Sequence, residues 1–186
     1  MSEIGRVLQL IGRIERRPIV VGIDGRSGAG KSTFARELAA ASPISTRIVE
    51  GDDFYLGTGL GFDWARLERQ VLEPARGGEE TISYQRYAWD QQRLGDWTSI
   101  TGAQCLIVEG VYMFQPELRE QFDLKIWVEA EDEVRRERIR ARHATYTAEI
   151  RDRQNASVER WLKDEDQYIR DHRPQAVADV TLWTGC

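Results

Sequence analysis

The sequence predicts an α/β fold with a mainly parallel central sheet. Three observations carry this reading. Strand-like apolar runs alternate with helical stretches along the chain. Cys105-Leu106-Ile107-Val108 is continuously apolar, as strands buried on both faces are. Ile19-Val20-Val21-Gly22-Ile23 runs through a glycine loop into a helix.

Taken in order, Ile4, Val7, Leu8, Ile11 and Ile14 recur at helical spacing and predict an amphipathic helix over 3–15. Pro18 punctuates before the strand at 19–23. A helix follows to Ala41, Pro43 breaks it, and a second strand covers 46–50. Gly57–Gly61 reads as flexible and exposed. Asp63 is a plausible N-cap for a helix through Leu67, Val71 and Leu72, ended by Pro74 and Gly77-Gly78. Short strands are expected at 81–84 and 97–101, inside a segment of about 79–103 that reads as a hairpin. Strand 105–108, a short helix at 116–121 and strand 124–128 come next. A charged helix spans 131–142, a mobile polar lid 143–153, a further helix 157–171 and a last strand 177–183. One domain over 1–186, with a lid of about 135–155, accommodates all of this.

Gly25-Arg26-Ser27-Gly28-Ala29-Gly30-Lys31-Ser32 fits G-x-x-x-x-G-K-S/T, with Thr33 opening the helix. Glycines without Cβ let the loop wrap tightly and turn its N–H groups inward. The helix start adds free N–H groups and a positive dipole end, so a phosphate is stabilised there. Lys31 can reach the outer phosphates and the Ser32 hydroxyl can hold Mg²⁺. The chain has three lysines against 23 arginines, so a lysine at this place is not incidental.

Hydrophobic residues make up 41% and charged residues 31%, as in soluble globular proteins. Net charge is −5 and the pI about 5.2, which argues against non-specific nucleic-acid or membrane binding. Cys105 and Cys186 are the only cysteines, and no Cys/His metal spacing exists. Without a signal-like segment or an 18-residue apolar run, the expected location is the cytoplasm.

Asp52 and Asp53 follow the second strand, where α/β sheets place their ligands. A carboxylate there can accept a proton from a hydroxyl or hold Mg²⁺; a plain turn pair is the alternative. Glu109 ends the apolar strand, a position that orients Mg²⁺ beside a phosphate loop. Tyr84, Tyr87 and Trp89 cluster among polar residues, either as a platform for a small planar ligand or as exposed aromatics of a hairpin. Arg135, Arg138 and Arg142 share one helical stripe, either a solvated face or a clamp on a transferring phosphoryl group.

With these pieces the chain resembles the uridine kinase and phosphoribulokinase family of P-loop kinases. The resemblance covers about 18–183. It rests on Gly25–Ser32, Asp52-Asp53-Phe54-Tyr55, Phe62-Asp63, Tyr87, Val108-Glu109-Gly110-Val111, Pro116-Glu117-Leu118-Arg119 and Phe122–Val128. It implies a three-layer α/β/α P-loop NTPase fold with a small helical lid, and ATP-dependent phosphorylation of a small-molecule hydroxyl. By the same resemblance Asp52 is the general base, and Tyr55 and Tyr87 line the nucleoside. Ser32 and Glu109 serve Mg²⁺, and Arg138 and Arg142 fall near the lid arginines. Two departures bear on the acceptor: where uridine kinases carry Y-D-F-x-x-H, this chain has Tyr87-Ala88-Trp89-Asp90-Gln91-Gln92, and Gly57–Gly61 is unusually glycine-rich.

The expected mechanism uses ATP and Mg²⁺. Residues 25–33 cradle the phosphates, and Lys31 with the metal on Ser32, Asp52 and Glu109 draws off charge. Asp52 deprotonates the acceptor, and Asp53, Tyr55, Phe62, Tyr87 and Trp89 surround it. Arg138 and Arg142 close over the γ-phosphoryl. The partner is a nucleoside-like small molecule, with a homo-oligomer open. Alternatives are a kinase for pantothenate, nicotinamide riboside or a sugar phosphate, and a non-catalytic nucleotide-binding regulator. A GTPase switch lacks its N-K-x-D reader, since Asn155 is the only asparagine.

Overall fold

A computed structural model describes residues 2–56 and 61–185, apart from the side chains of 148–150 and 152–156. The Gly57–Gly61 expectation falls almost wholly outside the described residues. Five parallel strands form the central sheet in the order β2-β5-β1-β6-β7. They are β1 (Ile19–Gly25), β2 (Thr46–Glu50), β5 (Cys105–Glu109), β6 (Leu124–Glu129) and β7 (Val180–Trp183). A separate antiparallel hairpin holds β3 (Thr81–Ala88) and β4 (Arg93–Thr101). This is the three-layer α/β/α arrangement, with a hydrophobic core on each face of the sheet.

One face buries Ile19, Val21 and Ile23 against α1 (Glu3–Ile11) and α2 (Lys31–Ala41). Helix α1 stops at Ile11, not 15, because Gly12 caps it; Ile14 still packs on this core. The other face packs Val20, Leu106, Val108 and Trp127 under a segmented helix and the hairpin. Gly22 leaves room there for Phe122 and Phe114, whose rings a Cβ would meet at 2.7 and 2.9 Å.

The segmented helix runs as α3 (Trp64–Leu67), a π-helical stretch (Glu68–Leu72) and α4 (Glu73–Gly77). Asp63 caps it, accepting from the Arg66 N–H at 3.0 Å. Pro74 does not end it, contrary to the sequence expectation. Pro74 lies inside the continuous helical run, and the wide π turn just before it makes room for its ring.

The hairpin strands are longer than the sequence suggests, because a register shift between Gln85 and Tyr87 interrupts the alternation. Ile82 and Tyr84 face inward; after the shift Tyr87, not Arg86, is buried. Residues 116–121 give only a 3₁₀ turn at Arg119–Gln121.

Helices α5 (Asp132–Ala144) and α6 (Ala148–His172) follow β6, and α7 (Pro174–Val177) leads into β7. The polar stretch at 143–153 is therefore not one loop. Only 145–147 separates two helices, with the Thr145 hydroxyl capping the Arg142 carbonyl at 2.7 Å. No helix among the described residues is long and apolar enough to cross a membrane.

Candidate active site

Strand register brings the site together. Ile23 of β1 and Glu50 of β2 both pair with Glu109 of β5. The loop after β1, the acids after β2 and Glu109 thus leave the sheet at one level, at its carboxyl edge.

Residues 25–30 wrap the start of α2. Gly28 and Gly30 have φ of 78° and 99°, which other residues rarely adopt. At Gly28 a Cβ would lie 2.5 Å from the Arg135 carbonyl oxygen, so α5 is seated against the loop. No side chain caps α2, leaving its first N–H groups for an anion. The Lys31 ammonium donates to the carbonyls of Gly25 at 2.8 Å and Arg26 at 3.0 Å.

The Ser32 hydroxyl donates to Glu109 Oε1 at 2.7 Å. Glu109 is buried, and burial raises its pKa against the opposing pull of Lys31 and Ser32. No cluster of three metal-binding acids, histidines or cysteines exists among the described residues. The donors present still fit Mg²⁺, which takes one or two protein oxygens and completes its shell from phosphates and water.

The turn Gly51–Phe54 separates the two aspartates. Asp52 is exposed. Asp53 is buried, accepts from the Arg86 guanidinium at 2.9 Å and from Tyr84, and has its pKa raised by burial. Glu50 is raised too, by burial and then by Asp53 and Asp52.

Beside them lies an aromatic group. Tyr55 stacks on Trp89 at 4.6 Å and meets Tyr87 edge-on at 5.1 Å and Phe62 at 5.9 Å. Phe62 in turn stacks on Trp64 at 4.7 Å. Tyr55, Phe62, Tyr87 and Trp89, expected from the sequence to surround an acceptor, form one cluster of rings. Trp64 and Tyr112 join it, and Tyr112 adopts a left-handed φ of 65°.

The arginine stripe is divided. Arg135 is buried, donating to the Ser27 carbonyl at 3.0 Å and to Asp132 at 2.7 Å. Arg138 donates to Thr184 Oγ1 at 2.9 Å and to the Gly28 carbonyl at 3.3 Å, on the outer wall of the loop. Arg142 is exposed in the last turn of α5. Arg26 pairs with Asp166 at 2.7 Å. A cleft of about 580 Å³ opens beside the loop, lined by Glu3, Gly30, Thr33, Phe34, Arg138 and Thr184.

Sequence reasoning gave no site role to Asp24, Thr184, Glu165 or Tyr168. Asp24 left one signal, a charge closing an apolar strand. Thr184 anchors the loop by donating to the Ala29 carbonyl at 2.6 Å.

Two curated uridine kinases are similar in sequence. The one from Alkaliphilus metalliredigens is 30% identical over 137 residues, and the one from Clostridium novyi 31% over 137. Each match covers 64% of this chain and 65% of the relative, so the chain spans just under two thirds of the relatives' length. In structure, a possible uridine kinase from Bacillus stearothermophilus superimposes with a TM-score of 0.70 at 20% identity, over 96% of each chain. That likeness shows the P-loop kinase fold. The family described as the AAA domain matches residues 21–162, more than half of the chain. With its phosphate loop, parallel sheet and uridine kinase relatives, the chain belongs to that family of P-loop proteins.

Proposed function

We propose that the protein transfers the γ-phosphoryl group of ATP to a hydroxyl of a nucleoside-like small molecule, a reading supported by relatives named uridine kinase. One observation carries the reading. The Lys31–Ser32–Glu109 set and the exposed carboxylate of Asp52 share one edge of the sheet, beside four clustered aromatic rings.

Loop residues 25–33 receive the phosphates through inward N–H groups and the start of α2. Lys31 leaves its two carbonyls to neutralise the outer phosphates. Ser32, Glu109 and Asp52 would hold Mg²⁺, which supplies charge neutralisation between phosphates. Asp52 orients the acceptor hydroxyl and takes its proton. The cleft beside Thr33 and Thr184 accommodates the nucleoside end of ATP. Asp53 fixes Arg86 at the acceptor side, while Tyr55, Phe62, Tyr87 and Trp89 hold the acceptor's ring. Arg138 braces the loop, and the exposed Arg142 is available to the transferring phosphoryl group.

One observation favours a second reading, a kinase of the same fold for another acceptor such as nicotinamide riboside, pantothenate or a sugar phosphate. Ala88 and Gln92 replace the polar residues of the pyrimidine-reading hairpin, and the turn at 89–92 puts Gln92 at a left-handed φ of 53°. The cytoplasm and a small-molecule partner follow from either reading.

The test is ADP release from MgATP across a panel of uridine, cytidine, nicotinamide riboside, pantothenate and sugar phosphates. Release only with uridine or cytidine supports the first reading, and release with nicotinamide riboside, pantothenate or a sugar phosphate the second. Release with none of the panel, and none that Lys31→Ala abolishes, overturns both.

A further inference from the structure

Three side chains of α6 reach the phosphate loop. Glu165, 3% exposed, accepts the Ser27 N–H on Oε1 at 3.0 Å. Asp166 pairs with Arg26 at 2.7 Å. The Tyr168 hydroxyl donates to Asp24 Oδ2 at 2.6 Å. Glu165 and Tyr168 are three apart and share one helix face. Asp24 is fully buried; Oδ1 accepts the Gly25 N–H at 2.7 Å, and Oδ2 also accepts the Phe114 N–H at 2.9 Å.

We propose that Tyr168 and Glu165 are positioning residues for nucleotide binding: through Asp24 and Ser27, α6 fixes the entrance of the phosphate loop. The inference rests on the reading that this loop binds MgATP.

The physical reason lies in the chain of contacts. A buried carboxylate needs its full set of donors. Asp24 has three, and the hydroxyl of Tyr168 is the closest. Without it, the carboxylate recovers only by pulling on Gly25 or Phe114, or by taking up a proton. Gly25 is the residue whose carbonyl holds Lys31 at 2.8 Å. A shift there moves the ammonium that must meet the phosphates. Glu165 acts one residue further on. Its Oε2 is buried with no hydrogen bond among the described residues and faces Arg135 Nη1 at 3.6 Å. Arg135 also donates to the Ser27 carbonyl, so loop, α5 and α6 share one buried pair.

The same ring extends toward the acceptor side. Tyr168 meets Tyr112 edge-on at 5.0 Å, and Tyr112 meets Phe62 at 6.1 Å. A helix outside the phosphate cradle is thus in contact with both halves of the candidate site.

The experiment is calorimetric titration of MgATP into wild type, Tyr168→Phe, Asp24→Asn and the double variant, with Lys31→Ala as control and melting temperatures recorded. Each single change is expected to weaken Kd about tenfold, the loss of one hydrogen bond to a charged group. The double variant is expected to be no weaker than the worse single, because both remove one linkage. A Kd within twofold of wild type, whatever happens to the melting temperature, reduces Tyr168 to packing and overturns the proposal. So do single effects that multiply. Should any of these variants not fold, Glu165→Gln decides: severalfold weaker binding supports the proposal, and wild-type binding overturns it. If wild type binds MgATP and Lys31→Ala does not, a negative result sinks this inference alone. If wild type does not bind, the functional reading fails with it.

Discussion

Asp24 shows how much one residue can say about conditions. Burial pushes its pKa up to about 6 from an ordinary value of 3.8, against the Tyr168, Phe114 and Gly25 hydrogen bonds and the charge of Lys31. A raised carboxylate pKa means the fold favours the protonated form. The stability this group contributes is fully present below about pH 3.8 and is lost as pH rises through about 6. The shift amounts to roughly 3 kcal/mol. Melting curves between pH 4 and 7 should therefore show wild type losing stability relative to Asp24→Asn as pH rises. Parallel slopes would reject the assignment. Asp52, exposed and one residue from the buried Asp53, carries a different expectation. Asp52→Asn should lower kcat about 10²–10⁴-fold, as loss of a general base does, with ATP affinity little changed. Full kcat in that variant would transfer the role to another group.

At the level of elements, α5 packs closely against the phosphate loop. Gly28→Ala would place a methyl 2.5 Å from a backbone carbonyl, at a φ of 78°. It should abolish MgATP binding and lower the melting temperature; a variant that binds normally would mean α5 can yield. The hairpin gives a complementary expectation. Trp89 is 44% exposed and stacks on Tyr55 at 4.6 Å. Trp89→Ala should raise the acceptor KM several-fold, about what one aromatic stack contributes, and leave the ATP KM unchanged. Equal changes in both would place Trp89 outside acceptor binding. Elements with strong local patterns were readable from the sequence. The strands β1 and β5 fell close to their expected places because continuous apolar runs have few other uses, and β2 and β6 were read from shorter apolar tracts. The shift in β3 was not, since a bulge changes parity without changing composition. The unbroken course of α6 from Ala148 was hidden by its polarity, which reads locally as loop.

Across the whole molecule, motif and fold were legible together. Gly25–Ser32 needed a strand before it and a helix after it, and both are present. The aromatic set was legible as residues around an acceptor but its stacking was not, because Tyr55 and Trp89 are separated by a helix and a strand. The contact of Tyr168 with Asp24 joins residues 144 positions apart and leaves no periodic trace. Arg138 shows the same limit: its stripe was visible, but its bonds to Thr184 and Gly28 depend on how β7 ends beside the loop.

The ammonium of Lys31 has a consequence for selectivity. It donates to the backbone of its own loop, at the Gly25 and Arg26 carbonyls. An incoming anion competes with those two carbonyls before it gains anything. A lone orthophosphate meets the helix start or the ammonium, whereas a polyphosphate can meet both at once. The cradle is therefore expected to hold a phosphate chain more tightly than a single oxyanion.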